Sequence, residues 1–204
     1  SLMKLMGLLL GDADTAEIEE ALKPEPGLTV NLLRMTNSVG SGTTETITSL
    51  RHAITVLGRR QLQRWLQLLV FASGKGAGSN NPLLLLAATR GRLMELLAGE
   101  QRPADNNFAD QAFMTGIMSL MPALVSLPIE EIIAPLGLAD SMRDALCGGS
   151  GPLGALLRLA EGSESGDLDE LPRLLGDLPG LGPKALNRAQ TQALQWANGI
   201  AQNQ

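Results

Sequence analysis

An all-α architecture is expected for this chain on three grounds. Tyr is absent, and the aromatic residues are only Trp65, Trp196, Phe71, Phe108 and Phe113. The core must therefore be assembled from Leu, Ala, Met, Ile and Val, most of which favour helices. No segment alternates apolar and polar residues convincingly for more than a few positions, as a half-buried strand would. Nearly every stretch between the Gly- and Pro-rich breaks instead reads as helix, and no repeat of solenoid period is present.

The elements follow in order. Leu2–Leu10 is a short helix, apolar almost all round, with Lys4 its only charge. Asp14-Thr15-Ala16-Glu17 has the spacing of a capping box and opens a helix to Leu22, stopped by Lys23-Pro24-Glu25-Pro26-Gly27. Thr29–Asn37 is the next helix. Ser49–Leu57 follows, and Gly58 breaks or caps it. Arg59–Ser73 is longer, with Leu62, Leu66, Leu69 and Val70 on one face and Trp65 beside them. Gly74–Asn81 reads as a flexible loop; it lacks the spacing and the following Lys-Ser/Thr of a phosphate-gripping loop. Pro82 suits the first turn of a helix to Ala98. A polar loop, Gln101–Asn107, leads to a strongly apolar central helix, Phe108–Ser126. Shorter helices are expected at Ile129–Ala134, Ala139–Cys147, Gly154–Glu161 and Leu168–Leu175, with a turn at Gly148–Gly151. Pro183–Ala201 closes the chain.

Composition narrows the function. With 204 residues the chain suits one large or two small domains and should bury roughly 70% of its unfolded surface without a disulfide or metal staple. The lone Cys147 cannot form an internal disulfide; a small buried or half-buried thiol and a reducing, cytoplasmic setting are expected. A net charge of −5 argues against generic nucleic-acid binding and against an anionic membrane surface. No apolar run reaches the roughly 18 residues of a membrane span. Ser1-Leu2-Met3 lacks a signal-peptide layout and reads either as an expression remnant or as a cut from a longer chain.

The most informative stretch is Leu28–Leu57. A short apolar helix runs into Asn37-Ser38, a Gly/Thr-rich turn follows, and a second helix carries Arg51-His52-Ala53-Ile54 and ends at Leu57-Gly58. Pro26-Gly27-Leu28 and Leu32-Leu33 precede these motifs. Ala112-Phe113, Gly116, Pro128-Ile129-Glu130-Glu131-Ile132, Gly148-Gly149-x-Gly151-Pro152-Leu153-Gly154 and Ala193-Leu194-x-Trp196-Ala197 come later. In order and spacing these motifs resemble the HDOD family, the HD-related output domain of bacterial signalling proteins, and in particular the branch in which HDOD follows an EAL domain. The resemblance implies a multi-helix HD-like bundle with a smaller N-terminal helical subdomain: one HDOD domain over 1–204, divided into 1–73 and 82–204. In that branch the EAL part is related to cyclic-di-GMP phosphodiesterases and HDOD is a regulatory or output module. No EAL motif is present, so the chain would be the C-terminal piece of a longer protein. Its partner would be an upstream EAL domain of the same chain or another signalling protein, with self-association also open.

An HD-type phosphohydrolase, the fold's enzymatic relative, holds metal with His and Asp from several helices, and the metal lowers the pKa of bound water to make a nucleophile. The family's central helix usually carries Phe-x-x-Gly-Leu-Leu-His-Asp. Here the matching stretch is Phe113-Met114-Thr115-Gly116-Ile117-Met118-Ser119-Leu120, so the pair has become Ser119-Leu120. The Pro82–Ala98 helix also lacks His. The resemblance therefore implies no catalytic residue, no metal and no cofactor, with a pocket filled by apolar packing. Phe113, Ile117, Leu120 and Leu124 share one face of an unbroken helix and should line its centre. His52, the chain's single His, is expected to be a half-buried or solvent-facing helix residue rather than a ligand or base. Asn37-Ser38 is expected to cap a helix end and seed a turn; Ala53, Leu57 and Gly58 complete that structural motif.

Other signals compete. Leu178-Pro179-Gly180-Leu181-Gly182-Pro183-Lys184-Ala185 resembles a helix–hairpin–helix turn, with Lys184 and Arg188 available for phosphate over 178–188. Asp167, Asp169, Glu170 and Asp177 precede it and oppose DNA, so nucleic acid is disfavoured. Arg51, His52, Arg59, Arg60 and Arg64 form either a solvated face or a docking face for an acidic partner or a phosphate-bearing ligand. Residual HD-type hydrolysis stays a third alternative. The first helix, apolar on every face, is expected to be a contact surface shared with a neighbouring domain or copy, or else to be wrapped by later helices.

Overall fold

The computed structural model describes residues 7–8, 11, 13–22, 26–37, 44, 46–72 and 81–201, and among them every regular element is helical. Helix α1, Thr15–Leu22, starts at a reciprocal cap. The Asp14 N–H donates to Glu17 Oε2 and the Glu17 N–H to Asp14 Oδ1, each at 2.9 Å, as the spacing predicts. Helix α2, Pro26–Thr36, begins ahead of the expected Thr29, because Pro26 in a first turn gives up an N–H that has no intrahelical partner anyway.

Helix α3, Leu50–Ala72, is two helices joined across Gly58 at φ 77°, ψ 159°, the break expected there. Asn81 ties its end to the next helix: its Nδ2 donates to the Phe71 carbonyl at 2.8 Å, and its Oδ1 accepts the Leu84 N–H at 3.1 Å. Helix α4, Pro82–Gln101, runs past the expected Ala98. Helix α5, Asn106–Met118, is capped by Asp105, which accepts the Phe108 N–H at 2.9 Å.

The expected continuous helix Phe108–Ser126 is interrupted. After α5 the chain turns at Ser119-Leu120, and α6 covers only Met121–Val125. Pro122 has no N–H to offer the Met118 carbonyl, and its ring would collide with that carbonyl in a continuous helix. The chain tightens instead, with the Leu120 N–H reaching back to the Ile117 carbonyl at 3.2 Å. Residues 106–125 have the length and composition of a membrane span, yet half of that window is buried inside the protein and the helix breaks within it. It is a core element of the bundle.

The remaining helices are α7 (Ile129–Ile133), α8 (Asp140–Gly148), α9 (Gly151–Ser165), α10 (Leu171–Gly176) and α11 (Pro183–Ala201). Helix α9 is longer at both ends than expected. The glycine-rich turn before it serves close packing. Gly149 is left-handed at φ 60°, and a Cβ on Gly154 would fall 2.3 Å from the Gly149 carbonyl carbon. Cys147 is exposed, contrary to the expected buried or half-buried thiol, because Met142 and Ala145 take the inward side of α8. The expected helix Leu2–Leu10, apart from Gly7 and Leu8, and the expected loop Gly74–Asn81, apart from Asn81, lie outside the described residues.

Helix α4 is the centre of the bundle. Gly91 on α4 faces Gly116 on α5, and a Cβ on Gly116 would lie 2.9 Å from the Gly91 Cα. Only glycine lets the two backbones approach this closely. The N-terminal helices and the later bundle share one apolar core. Trp65 on α3 meets Trp196 on α11 at 5.9 Å between ring centroids, and Phe113 on α5 packs edge-on against Trp196 at 6.0 Å.

Candidate functional site

The close α4–α5 approach sets Ser119 beside Arg90. The Ser119 hydroxyl donates to the Gly116 carbonyl at 2.7 Å and accepts from Arg90 Nη1 at 2.8 Å. The Arg90 side chain is only 9% exposed. Its guanidinium forks onto Glu164 of α9, with Nε on Oε1 at 2.9 Å and Nη2 on Oε2 at 2.5 Å. Nη1 also reaches Glu161 Oε1 at 3.2 Å. Two parallel charge-assisted bonds of this kind are the strong, directional way to satisfy a buried guanidinium.

The surroundings of Ser119 are therefore a polar cluster that runs from the buried Arg90 out to the surface carboxylates Glu161 and Glu164, not the expected apolar filling. Phe113 and Ile117 are buried and Leu120 is 8% exposed, as expected. Leu124 lies beyond the break on α6 and is half-buried, so the four residues do not share one helix face. Sequence reasoning passed over Arg90. The readable signal was a pair of Arg residues, Arg90 and Arg92, in the middle of an otherwise apolar stretch of helix, with Glu161 and Glu164 one turn apart on a later one. The residues at this position do not fit a divalent metal. The Ser119 hydroxyl is engaged on both sides, Leu120 has no donor atom, and the one strong cation present is covalently part of the chain. Among the described residues no three His, Cys, Asp or Glu side chains cluster closely enough to hold a metal ion.

His52 sits half-buried in the first turn of α3, where its Nδ1 accepts the Thr48 N–H at 3.3 Å. Its own N–H donates to Ser49 Oγ at 3.1 Å. It is part of a helix entry, as its position suggested. Asn37 does more than cap. Its Nδ2 donates to the Leu33 and Ile47 carbonyls, each at 2.8 Å, and its Oδ1 accepts the Ile47 N–H at 2.6 Å. One side-chain amide thus holds both backbone groups of a residue on the far side of the Gly/Thr-rich turn. Ser38 is outside the described residues. Ala53 is fully buried, Leu57 is half-buried, and Gly58 forms the kink.

The expected basic face is divided. Arg51 is 82% exposed, with Glu19 at 3.5 Å. Arg60 and Arg64, one turn apart beyond the kink, both pair with Asp110 of α5, Arg60 from the surface and Arg64 from the interior: Arg60 Nε lies 2.5 Å from Oδ2 and Arg64 Nη2 lies 3.1 Å from Oδ1. Arg64 also pairs with Glu95, is only 12% exposed, and lies over the Phe113 ring at 4.8 Å. These contacts tie Arg64 into the interior. The side chain of Arg59 is outside the described residues. In the turn over 178–188, Leu178 and Leu181 are buried, Gly180 takes the left-handed φ of 88°, and Arg188 is paired with Glu100. Lys184 remains exposed.

A family model described as HDOD domain matches residues 5–128, more than half of the chain. A curated relative, the Bacillus subtilis (strain 168) protein YuxH, is 28% identical over 186 residues, covering 90% of this chain and 44% of that protein. Another, named Cyclic di-GMP phosphodiesterase CdgJ, from Vibrio cholerae serotype O1, is 28% identical over 189 residues, covering 93% of this chain and 43% of that protein. The chain thus spans less than half the length of these curated relatives. Two crystal structures share the fold. One is an HDOD domain protein from Geobacter sulfurreducens (TM-score 0.64, 15% identity, 98% of this chain and 90% of that one). The other is a Shewanella amazonensis SB2B protein with a provisional phosphohydrolase name (TM-score 0.62, 14% identity, 99% and 92%).

Proposed function

The chain belongs to the HDOD family, and from that premise we propose that it is a non-catalytic, cytoplasmic signalling module that regulates a partner through protein contacts. The observation that carries this reading is the state of the position that the sequence resemblance matches to the HD pair. Ser119-Leu120 stands there, Ser119 is locked between the Gly116 carbonyl and Arg90, and Leu120 is buried. A hydrolase of this class needs an open metal coordination position for water, and these residues offer a capped hydroxyl and an apolar side chain. The partner we propose is an EAL domain, in the same longer protein or in another one. The name of the Vibrio relative ties a protein carrying a similar segment to cyclic di-GMP, which supports that choice.

The catalytic half of the proposal is tested on protein purified without a His tag. Elemental analysis should find no stoichiometric Fe, Mn, Zn or Ni, and cyclic dinucleotides should be left intact. Chelator-sensitive phosphodiesterase activity would overturn it. The regulatory half is tested in a full-length protein in which this module follows an EAL domain. Unfolding the module by a core substitution should change cyclic-di-GMP hydrolysis several-fold, and an unchanged rate would remove the regulatory role.

A further inference from the structure

A cleft of about 500 Å³ opens between the later part of α4 and the start of α5, with Arg60 of α3 at its edge. Its charges do not balance internally. Among the described residues, Asp110 takes Arg60 and Arg64, and Glu95 takes Arg64 and Arg92. Three guanidiniums thus share two carboxylates, and two of the three, Arg60 and Arg92, line the cleft. Glu100 lines it as well, but is paired with Arg188. Arg92 is held in place: its Nη1 donates to Glu95 Oε2 at 2.7 Å, and its guanidinium lies 5.9 Å from the Trp196 ring centroid. Its bonding capacity is not exhausted, since its Nε is buried without an acceptor among the described residues. The cleft also has an apolar side, formed by half-buried Leu96 and buried Ala109. Gly99 beside them has no packing reason to be glycine. A glycine inside a helix costs stability relative to alanine, yet its φ is not in the left-handed region and a Cβ there would meet nothing within 4 Å. Its effect is to keep the cleft open. We infer that this cleft binds a small organic monocarboxylate, with the carboxylate between Arg60 and Arg92 and the hydrocarbon part over Gly99 and Leu96. The volume is that of a small-molecule site, and guanidinium forks suit a carboxylate. A surplus of one positive charge matches one negative charge, and a doubly charged phosphate would be opposed by Glu95 and Glu100.

This goes beyond the proposed function and does not rest on it, since Ser119-Leu120 lies at the other end of α5. The test is an NMR titration of the arginine Nε–Hε resonances of the full chain, with sodium hexanoate replacing NaCl at constant ionic strength. The Arg60 and Arg92 signals should shift and saturate, while those of Arg143 and Arg173 stay in place. Acetate, which lacks the hydrocarbon tail, should need a several-fold higher concentration, and dimethyl phosphate should bind more weakly than hexanoate. Arg92→Gln should abolish the Arg60 shift. Gly99→Met should abolish both shifts by filling the cleft. Its thermal midpoint should be no lower than that of the wild type, because the side chain enters open space and methionine is the better helix former. Shifts that never saturate, shifts that survive Gly99→Met, or tighter binding of dimethyl phosphate would each overturn the inference. A Gly99→Met midpoint several degrees below the wild type would overturn it too, by showing that the space is occupied. Should Arg92→Gln fail to fold, Gly99→Met decides, because it leaves every ion pair in place.

Discussion

At Asn37 a single side chain stands in for a strand partner. Its amide gives Ile47 one donor and one acceptor, the pairing a neighbouring β-residue would supply, and Ile47 is almost fully buried. Asn37→Ala would leave both Ile47 backbone groups short of a partner, and urea unfolding should show a loss of about 1–3 kcal/mol or more. The sequence made Asn37 legible as a turn former. Its true partner was not legible, because no periodicity links residues across an irregular segment. Gly116 is similar. It stood out as part of a motif, while the reason, the Gly91 backbone against it, is tertiary. Gly116→Ala must push two helices apart, and a destabilisation on the order of 1–3 kcal/mol is expected in the same titration. Arg90 is the converse case, silent in sequence because a mid-helix Arg is usually solvated, yet bonded directly to Ser119.

Helix existence was legible and helix ends only where a local device sets them. The Asp14–Glu17 box, Asn81 with Pro82, and Pro183 at the start of α11 are such devices, and there the expected and observed boundaries agree closely. The break at Ser119-Leu120 was missed because apolar periodicity continues through Pro122, and periodicity alone does not register a missing N–H. Gly58 was read correctly as a break, and its backbone explains why a glycine is required. At φ 77°, ψ 159° it occupies a region that other residues enter only at a cost of about 1–3 kcal/mol. Gly58→Ala should therefore lower stability by that amount. In hydrogen exchange, the segment from Leu50 to Leu57 should lose protection before the segment from Leu62 to Ala72, since the strain is relieved by releasing the shorter arm.

Across the whole molecule, the shared apolar core is supplemented by ionic and aromatic pairings between residues distant in sequence: Arg60 and Arg64 on Asp110, Arg64 on Glu95, and Trp65 on Trp196. The fold class was readable because a Leu- and Ala-rich, Tyr-free chain has few ways to build a core except from helices. These pairings were not, because a cluster of Arg residues looks the same whether it faces water or a carboxylate on another helix. A double-mutant cycle on Arg64→Met and Asp110→Asn should give a coupling energy of about 0.5–3 kcal/mol; a cycle that closes at zero would show the pair to be idle. The Trp65–Trp196 contact has a practical consequence as well. With no Tyr in the chain, these two indoles dominate its ultraviolet emission, and they meet between α3 and α11. The protein thus carries an unlabelled optical gauge where α3 meets α11. Shifts in emission maximum and in the near-ultraviolet circular dichroism band will register a displacement of α3 against α11, without a dye and without a mutation.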